Sequence, residues 1–119
     1  MKIAITSEGK DLQSTVDPRF GRAKGFIIYD EASGKSSYID NVQNLNAPQG
    51  AGIQSAKNIV DAGAEVLITG NVGPKAFNVL NQASVKIMIG ASGSVSRALE
   101  DFKAGKLQEA GDANVEGHW

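Results

Sequence analysis

The sequence predicts one α/β domain built on a five-stranded mixed sheet with helices on both faces. Its 119 residues are enough for a single hydrophobic core, and a composition of 41% apolar and 21% charged residues is ordinary for a globular protein. The first half holds short β-branched runs, whereas in the second half such runs alternate with segments of helical period. Because alternation of strands and helices implies right-handed crossovers, the later strands should be parallel.

The first half predicts three strands and one long loop. KIAIT at 2–6 reads as a short buried strand, and residues 8–24 follow it with no clear periodicity. A loop of that length is uncommon in a small domain and is often functional. GFIIYD at 25–30 and the alternating SYIDNV at 37–42 predict an antiparallel hairpin, joined through the turn EASGK.

The second half predicts three helices that alternate with two strands. Apolar residues at helical spacing follow each of three glycine-containing turns, at 46–52, 70–75 and 90–94. EVLIT at 65–69 and KIMI at 86–89 predict the buried strands that lie between these helices.

Composition excludes several classes of function. The formal net charge of −1 leaves no overall basic field for nucleic acid, and the lack of cysteine excludes disulfides and thiolate-bound zinc or iron–sulfur centres. The start is too short and too polar for a signal peptide, and no apolar run approaches the ~20 residues of a membrane span. We expect a cytoplasmic protein without nucleic-acid or membrane partners, with one domain over 1–108 and a polar, flexible tail over 109–119.

Four segments are expected to meet at the carboxyl edge of the parallel strands, where open α/β sheets bind ligands. They are the loop 8–24 and the turns NAPQGAG (46–52), GNVGPK (70–75) and GASGS (90–94). The three turns run into helix N-termini, whose free N–H groups and partial positive charge favour an anion. Glycine-rich turns also serve the tight connections of any doubly wound sheet, so a purely structural role is the alternative.

The stretch VDPRFGRAKGF at 16–26 places Arg19 and Arg22 in the long loop, and Lys75 lies at the same predicted edge. Guanidinium groups are always charged and offer planar donor forks, so they suit an anionic ligand. The alternative interpretation is that both are surface arginines, one of which pairs with Asp17. Phe20 either stacks on a ligand or anchors the loop on the core.

The residues offer no catalytic or metal-binding set. His118 is the only histidine and lies in the polar tail, so neither a Ser–His–Asp triad nor a histidine metal site is expected. GNVGPK lacks the spacing and the Ser or Thr of a Walker phosphate loop. Four scattered carboxylates are interpreted as turn, edge and surface residues: Asp17, Asp30, Asp40 and Asp61.

Three blocks of the sequence share one order and separation with a known family. They are VDPRFGRAKGFIIYD, QGAGIQSAKNIVDAGAEVLITGNVGPKAFNVL and SRALEDFKAGKL, of which RFGRA and GAG…TGNVGPKA are the most specific. Together they resemble the dinitrogenase iron–molybdenum cofactor biosynthesis proteins, a family of small cofactor carriers. The resemblance spans residues 1–108.

The resemblance implies a ribonuclease-H-like three-layer sandwich and a non-catalytic carrier of metal–sulfur clusters or their precursors. Without cysteine, the chain is similar in type to the orange protein of sulfate-reducing bacteria, a family member that carries a molybdenum–copper sulfide cluster without covalent ligation. The expected cofactor is therefore a molybdenum–copper sulfide cluster, with the iron–molybdenum cofactor or a precursor as the alternative. A monomer is expected, with protein partners in a cluster-assembly or cell-division-related complex.

The chemistry of the residues agrees with this implication. Metals in sulfide clusters prefer soft ligands, which a protein without thiolates supplies poorly. Such a protein can instead bind a preassembled anionic cluster through cationic side chains and backbone N–H groups. The predicted cofactor-binding residues are Arg19, Phe20, Gly21, Arg22, Gly50, Ala51, Gly52, Ile53, Asn71, Val72, Gly73, Lys75, Gly90, Ser92 and Ser94. Two alternatives stay open: a nucleotide or phosphate binder or enzyme that uses the same edge, and an interaction module that docks on a partner complex.

Overall fold

The structure is a computed structural model, and it describes residues 1–41 and 51–111. The strands are β1 (Lys2–Ser7), β2 (Gly25–Asp30), β3 (Lys35–Asp40), β4 (Val66–Ile68), β5 (Lys86–Ile89) and β6 (Gln108–Glu109). The helices are α1 (Ala51–Asp61), α2 (Pro74–Gln82) and α3 (Val95–Lys103), and a 3-10 helix spans Phe20–Arg22. Across these described ranges, no helix is long and apolar enough to cross a membrane.

The strands form one mixed sheet in the order β3-β2-β1-β4-β5-β6. β1, β4 and β5 are parallel, as predicted, while β2 runs antiparallel between β1 and β3. The prediction of five strands is wrong, because β6 pairs antiparallel with β5 as a sixth strand. Its two residues, Gln108 and Glu109, are polar and exposed, so no hydropathy pattern marks this strand. β6 also includes residue 109, where the sequence predicts the polar tail to begin.

Apolar side chains alternate between the two faces of the sheet, so each face has its own core. The first face is covered by α1, α2 and the 3-10 helix, through residues that include Ile59, Leu80 and Phe20. The second face is covered by α3, through Val95 and Leu99. The prediction of helices on both faces is therefore confirmed, and the ribonuclease-H-like assignment stays a prediction.

β2 and β3 form the predicted antiparallel hairpin, but β3 spans 35–40 where the sequence predicts 37–42. Lys35 pairs with Asp30, and Ser36 pairs with Tyr29. Because β3 is the outer strand of the sheet, such polar residues can pair with β2 while their side chains stay in water.

Ser84, which follows α2, is the one non-glycine residue of the described ranges with a left-handed backbone, at φ 61°. A Cβ atom is unfavourable in that conformation, and glycine avoids the cost. We expect Ser84→Gly to raise the free energy of unfolding by about 0.5 kcal/mol in urea denaturation. Ala83→Gly is the matched control, because Ala83 has an ordinary φ of −87° and should lose stability as glycine. A destabilising Ser84→Gly would contradict this reading of the backbone.

Candidate functional site

The loop 8–24 crosses the carboxyl edge of the sheet and bonds to β1 and to two of the predicted turns. The backbone hydrogen bonds that make these contacts include Asp17 N–H to Thr6 O (3.1 Å), Phe20 N–H to Asn71 O (3.3 Å) and Val16 N–H to Gly93 O (2.9 Å). The loop, the 70–75 turn and the 90–94 turn therefore meet at one edge.

The fourth predicted segment, 46–52, lies largely outside the described residues. Gly50 is not described, whereas Ala51 and Gly52 begin α1. Gly52 is buried and Ile53 is half-buried. The part played by this turn at the edge stays a prediction.

The N-terminus of α3 is closed by the first half of the loop. Its N–H groups all donate within the chain: Val95 to Ser14 O (2.8 Å), Ser96 to Leu12 O (2.8 Å) and Arg97 to Ser94 Oγ (3.0 Å).

The turn before α3 is also bonded within the chain, because the Gly90 N–H donates to Gly70 O (3.1 Å). Gly90 and Ser94 thus have structural roles, with Ser92 exposed beside them. The expectation that the N–H groups of Val95, Ser96 and Arg97 are offered to an anion is not met, because the loop and the Ser94 hydroxyl already accept from them.

The second half of the loop lies directly on the 70–75 turn. Pro18 O accepts from the Asn71 N–H (2.9 Å) and from Asn71 Nδ2 (3.2 Å). A Cβ atom on Gly70 would lie 2.8 Å from Pro18 O and 2.9 Å from Pro18 Cα, closer than real Cβ contacts. Glycine at position 70 is therefore required for the loop to pass this close.

Two buried threonines tie the loop to the ends of β1 and β4. The Thr6 hydroxyl donates to Asp17 O at 2.6 Å, and its oxygen lies 3.0 Å from the Thr69 hydroxyl. A hydroxyl has a single proton to donate, so Thr69 must be the donor in the second bond. The result is a chain of hydrogen bonds from Thr69 through Thr6 to Asp17.

Asp17 pairs with Arg19, as one of the two sequence interpretations predicts. Arg19 N–H donates to Asp17 Oδ1 at 3.0 Å, and Arg19 Nε lies 3.9 Å from the same oxygen. The Asp17 side chain is 4% exposed and that of Arg19 is 55% exposed. Of the turn, edge and surface roles predicted for the four carboxylates, Asp17 therefore has the turn role, and it is buried.

The remaining residues of the RFGR segment have unequal access to solvent. Arg22 ends the 3-10 helix, is half-buried and has an interaction within the chain. Phe20 is fully buried and packs on Phe26, with ring centroids 5.7 Å apart, while Gly21 and Val72 are also buried. Phe20 therefore anchors the loop on the core, and Phe20 and Val72 do not line an open surface here.

A buried amide holds the far end of the 3-10 helix. Asn41 Nδ2 donates to Ala23 O and to Ser55 Oγ, both at 3.0 Å, and Asn41 N–H donates to Lys24 O at 2.8 Å. Ser55 belongs to α1, so this amide joins the end of β3, the loop and a helix. The same segment receives a bond from the Tyr38 hydroxyl, whose pKa is raised by burial and, to a smaller extent, by the charge of Asp40.

α2 begins at this edge with N–H groups that no side chain caps. Gly73 is its N-cap and supplies no side-chain bond, and Pro74 has no N–H to satisfy. Within residues 1–41 and 51–111, the N–H groups of Lys75 and Ala76 have no hydrogen-bond acceptor. The exposed Lys75 side chain adds a full positive charge to the partial charge of the helix end.

The sequence did not reveal three residues that build this edge: Thr6, Thr69 and Asn41. A threonine at a strand end is indistinguishable in sequence from a β-branched core residue, and an asparagine near a turn is common. The bond from the Arg19 N–H to Asp17 is the kind that the sequence can indicate, because aspartate before a turn often accepts from the N–H two residues ahead.

Two surface grooves lie elsewhere on the described part of the chain, one between β3 and α1 and the other along β1, β2 and β3. One of about 320 Å³ is lined by Ile39, Asp40, Asn58 and Asp61. The other, of about 410 Å³, is lined by residues that include Lys2, Asp30, Lys35 and Ile39. Among the described residues, no predicted cofactor-binding residue lines either groove.

Comparison with known proteins gives matches over most of the chain. The model of the dinitrogenase iron–molybdenum cofactor family matches residues 1–105. An uncharacterised protein of Methanocaldococcus jannaschii is 30% identical over 111 residues, which are 92% of this chain and 91% of the relative. The apo form of the orange protein from Desulfovibrio gigas is 41% identical, with a TM-score of 0.93 over 96% of each chain. A proposed NifB protein from Thermotoga is 40% identical, with a TM-score of 0.85 over 98% of each chain.

The chain therefore belongs to the dinitrogenase iron–molybdenum cofactor family. The family match covers all of the described residues up to 105, including the RFGRA and TGNVGPKA blocks. The resemblance inferred from those blocks is confirmed.

Thr6 and Thr69 differ in what their removal leaves unpaired. Thr6→Val removes the donor to the buried Asp17 carbonyl and the acceptor for Thr69, whereas Thr69→Val removes only the donor to Thr6. We expect Thr6→Val to lower the free energy of unfolding by about 1–3 kcal/mol, and Thr69→Val to lower it by less, in urea denaturation. A larger loss for Thr69→Val would contradict the direction assigned to the chain of bonds.

Proposed function

We propose that this chain is a non-catalytic carrier that binds an anionic, molybdenum-containing metal–sulfur cluster without covalent bonds. The observation that carries the proposal is the pairing of the arginine segment with the 70–75 turn. Arg19 and Asn71 form a parallel bridge, in which the Phe20 N–H donates to Asn71 O. This pairing brings the exposed Arg19 to the turn that leads into Lys75 and the N-terminus of α2.

The charges and donors on this side of the edge suit an anion. Arg19 and Lys75 are exposed, Arg22 lies one 3-10 turn away, and α2 adds the partial positive charge of its N-terminus. The α3 side is less suitable, since its donors are already used. We therefore place the cluster on the α2 side, against Arg19, Arg22, Gly73 and Lys75.

The donor set favours a preassembled cluster over a bare metal ion. The sequence contains no cysteine, and the described residues include no group of three or more His, Cys, Asp or Glu side chains that could hold a metal ion. A sulfide cluster brings its own soft ligands, and its negative sulfides accept hydrogen bonds from cationic and backbone N–H groups. The protein then supplies charge and shape only.

Family membership supports molybdenum as a component of the cargo, because the family is described by the iron–molybdenum cofactor. We propose a molybdenum–copper sulfide cluster as the cargo, with the iron–molybdenum cofactor or a precursor as the alternative. The proposal includes a cytoplasmic monomer that hands its cargo to a partner in a cluster-assembly or cell-division-related complex.

The direct test is a titration of the purified protein with tetrathiomolybdate, with and without copper(I). Visible absorption follows binding, and metal analysis after desalting gives the stoichiometry. A coloured species that stays with the protein at fixed stoichiometry supports the carrier, and a need for copper identifies the mixed cluster. Complete loss of colour and metal on desalting rejects this cargo. It would then favour the alternative function, an interaction module that docks on a partner complex. A rise in melting temperature with nucleotides instead would favour a phosphate binder.

Removing both arginines should weaken cluster binding. We expect Arg19→Ala combined with Arg22→Ala to lower the affinity for tetrathiomolybdate by about tenfold or more, with a smaller dependence on salt, because two cations leave the site. Equilibrium dialysis at several salt concentrations measures both quantities.

The matched control removes the same charge on the other side of the sheet. Arg97→Ala combined with Lys106→Ala changes net charge equally, and both residues are exposed at or after α3. This control should retain the wild-type affinity. Cluster retention that is unchanged in the Arg19 and Arg22 variant at every salt concentration would reject the cationic site.

A further inference from the structure

Asp17 is an almost completely buried carboxylate beneath the edge where Arg19 lies. A single oxygen, Oδ1, accepts from the Arg19 N–H at 3.0 Å and lies 3.9 Å from Arg19 Nε. Burying a charge is unfavourable unless the charge is paired and hydrogen-bonded. Both contacts are made with one residue: a hydrogen bond holds the Arg19 backbone, and a longer ion pair places the guanidinium beside the carboxylate.

Asp17 is itself fixed to the sheet. Its N–H donates to Thr6 O at 3.1 Å, and its carbonyl accepts from the Thr6 hydroxyl at 2.6 Å. Thr6 and Thr69 are fully buried at the ends of β1 and β4. The Asp17 backbone is therefore bonded to the buried end of β1, which limits the positions that its carboxylate can take beside Arg19.

The contact with Asp17 leaves most of the guanidinium donors unused. It involves Nε, whereas the two terminal Nη groups carry four further N–H donors. More than half of the Arg19 side chain is exposed, at 55%. A carboxylate at Nε can thus restrict rotation of the side chain while the terminal donors stay accessible to an anion.

We propose that Asp17 is a positioning residue that presets the Arg19 guanidinium for the anionic cluster. The assignment rests on the proposed function, since orientation matters only if an anion binds at this edge. Without Asp17, the long arginine side chain would lose its rotamer freedom during binding rather than before it, and affinity would fall.

Charge alone predicts the opposite result. A carboxylate close to an anionic ligand repels it, so neutralising Asp17 should strengthen binding if the residue acts only through its charge. Presetting predicts weaker binding after the same substitution. The sign of the change therefore separates the two roles.

The test compares the full-length protein with Asp17→Asn, whose amide oxygen can still accept from the Arg19 N–H. Glu8→Gln is the matched control, because Glu8 is exposed in the same loop and loses the same charge. We expect Asp17→Asn to bind tetrathiomolybdate about threefold to tenfold more weakly, and Glu8→Gln to bind like wild type. Affinity equal to or above wild type in Asp17→Asn would overturn the proposal.

A double-mutant cycle identifies the residue through which Asp17 acts. In an Arg19→Ala background, Asp17→Asn should cause no further loss, because no guanidinium remains to be positioned. An equal loss in that background would show that Asp17 acts through the backbone of the loop, and the proposal would be wrong.

A readout without ligand separates this proposal from the proposed function. In cluster-free protein, NMR should show slower hydrogen exchange at Arg19 Nε–H in wild type than in Asp17→Asn. Unchanged exchange would overturn the presetting of Arg19 even if the cluster binds. Changed exchange, together with no binding of tetrathiomolybdate to wild type, would instead reject the cargo and with it the ligand role of Asp17.

Discussion

The edge that carries the candidate site depends on one buried chain of hydrogen bonds, from Thr69 through Thr6 to the carbonyl of Asp17. β1 and β4 are neighbours in the sheet, so Thr69 at the end of β4 can bond to Thr6 at the end of β1. The Thr6 hydroxyl in turn pairs the carbonyl of Asp17, a backbone group that would otherwise be buried without a hydrogen bond. Anchoring at Asp17 directs the chain across Gly70, where a Cβ atom would collide with Pro18. The positions of Arg19 and the 3-10 helix follow from this contact.

The same loop makes the two sides of the edge unequal. Its first half gives carbonyl oxygens to Val95 and Ser96, so α3 is capped by the chain itself. Its second half bonds to the turn before α2 and leaves the N–H groups of Lys75 and Ala76 without an acceptor in the described ranges. Two helix N-termini with similar glycine-rich turns thus have different chemistry, and the difference comes from which of their donors the loop uses.

The sequence predicts the parts of this protein that depend on burial and fails where polar pairing decides. The run KIMI coincides with β5, and the alternation of strands and helices gives the parallel core of the sheet. The sequence does not predict β6, because its two residues are polar and exposed and it is defined by backbone pairing with β5. The sequence leaves the N–H donors of α3 available to a ligand, because periodicity cannot reveal that the carbonyls of Leu12 and Ser14 accept from Ser96 and Val95. The sequence allows two interpretations of Phe20, and its complete burial and its contact with Phe26 decide between them.

The proposed mode of binding has a consequence for the release of cargo. With no thiolate in the sequence, a bound sulfide cluster keeps its own ligands, and no metal–protein bond has to form or break. Attraction to exposed cations such as Arg19 and Lys75 weakens as ionic strength rises, whereas hydrogen bonds at a helix N-terminus are local and depend less on salt. A partner that offers competing donors could therefore take the cluster intact. A pre-oriented guanidinium also gives directional binding without a covalent ligand, because the ordering of Arg19 precedes the arrival of the anion.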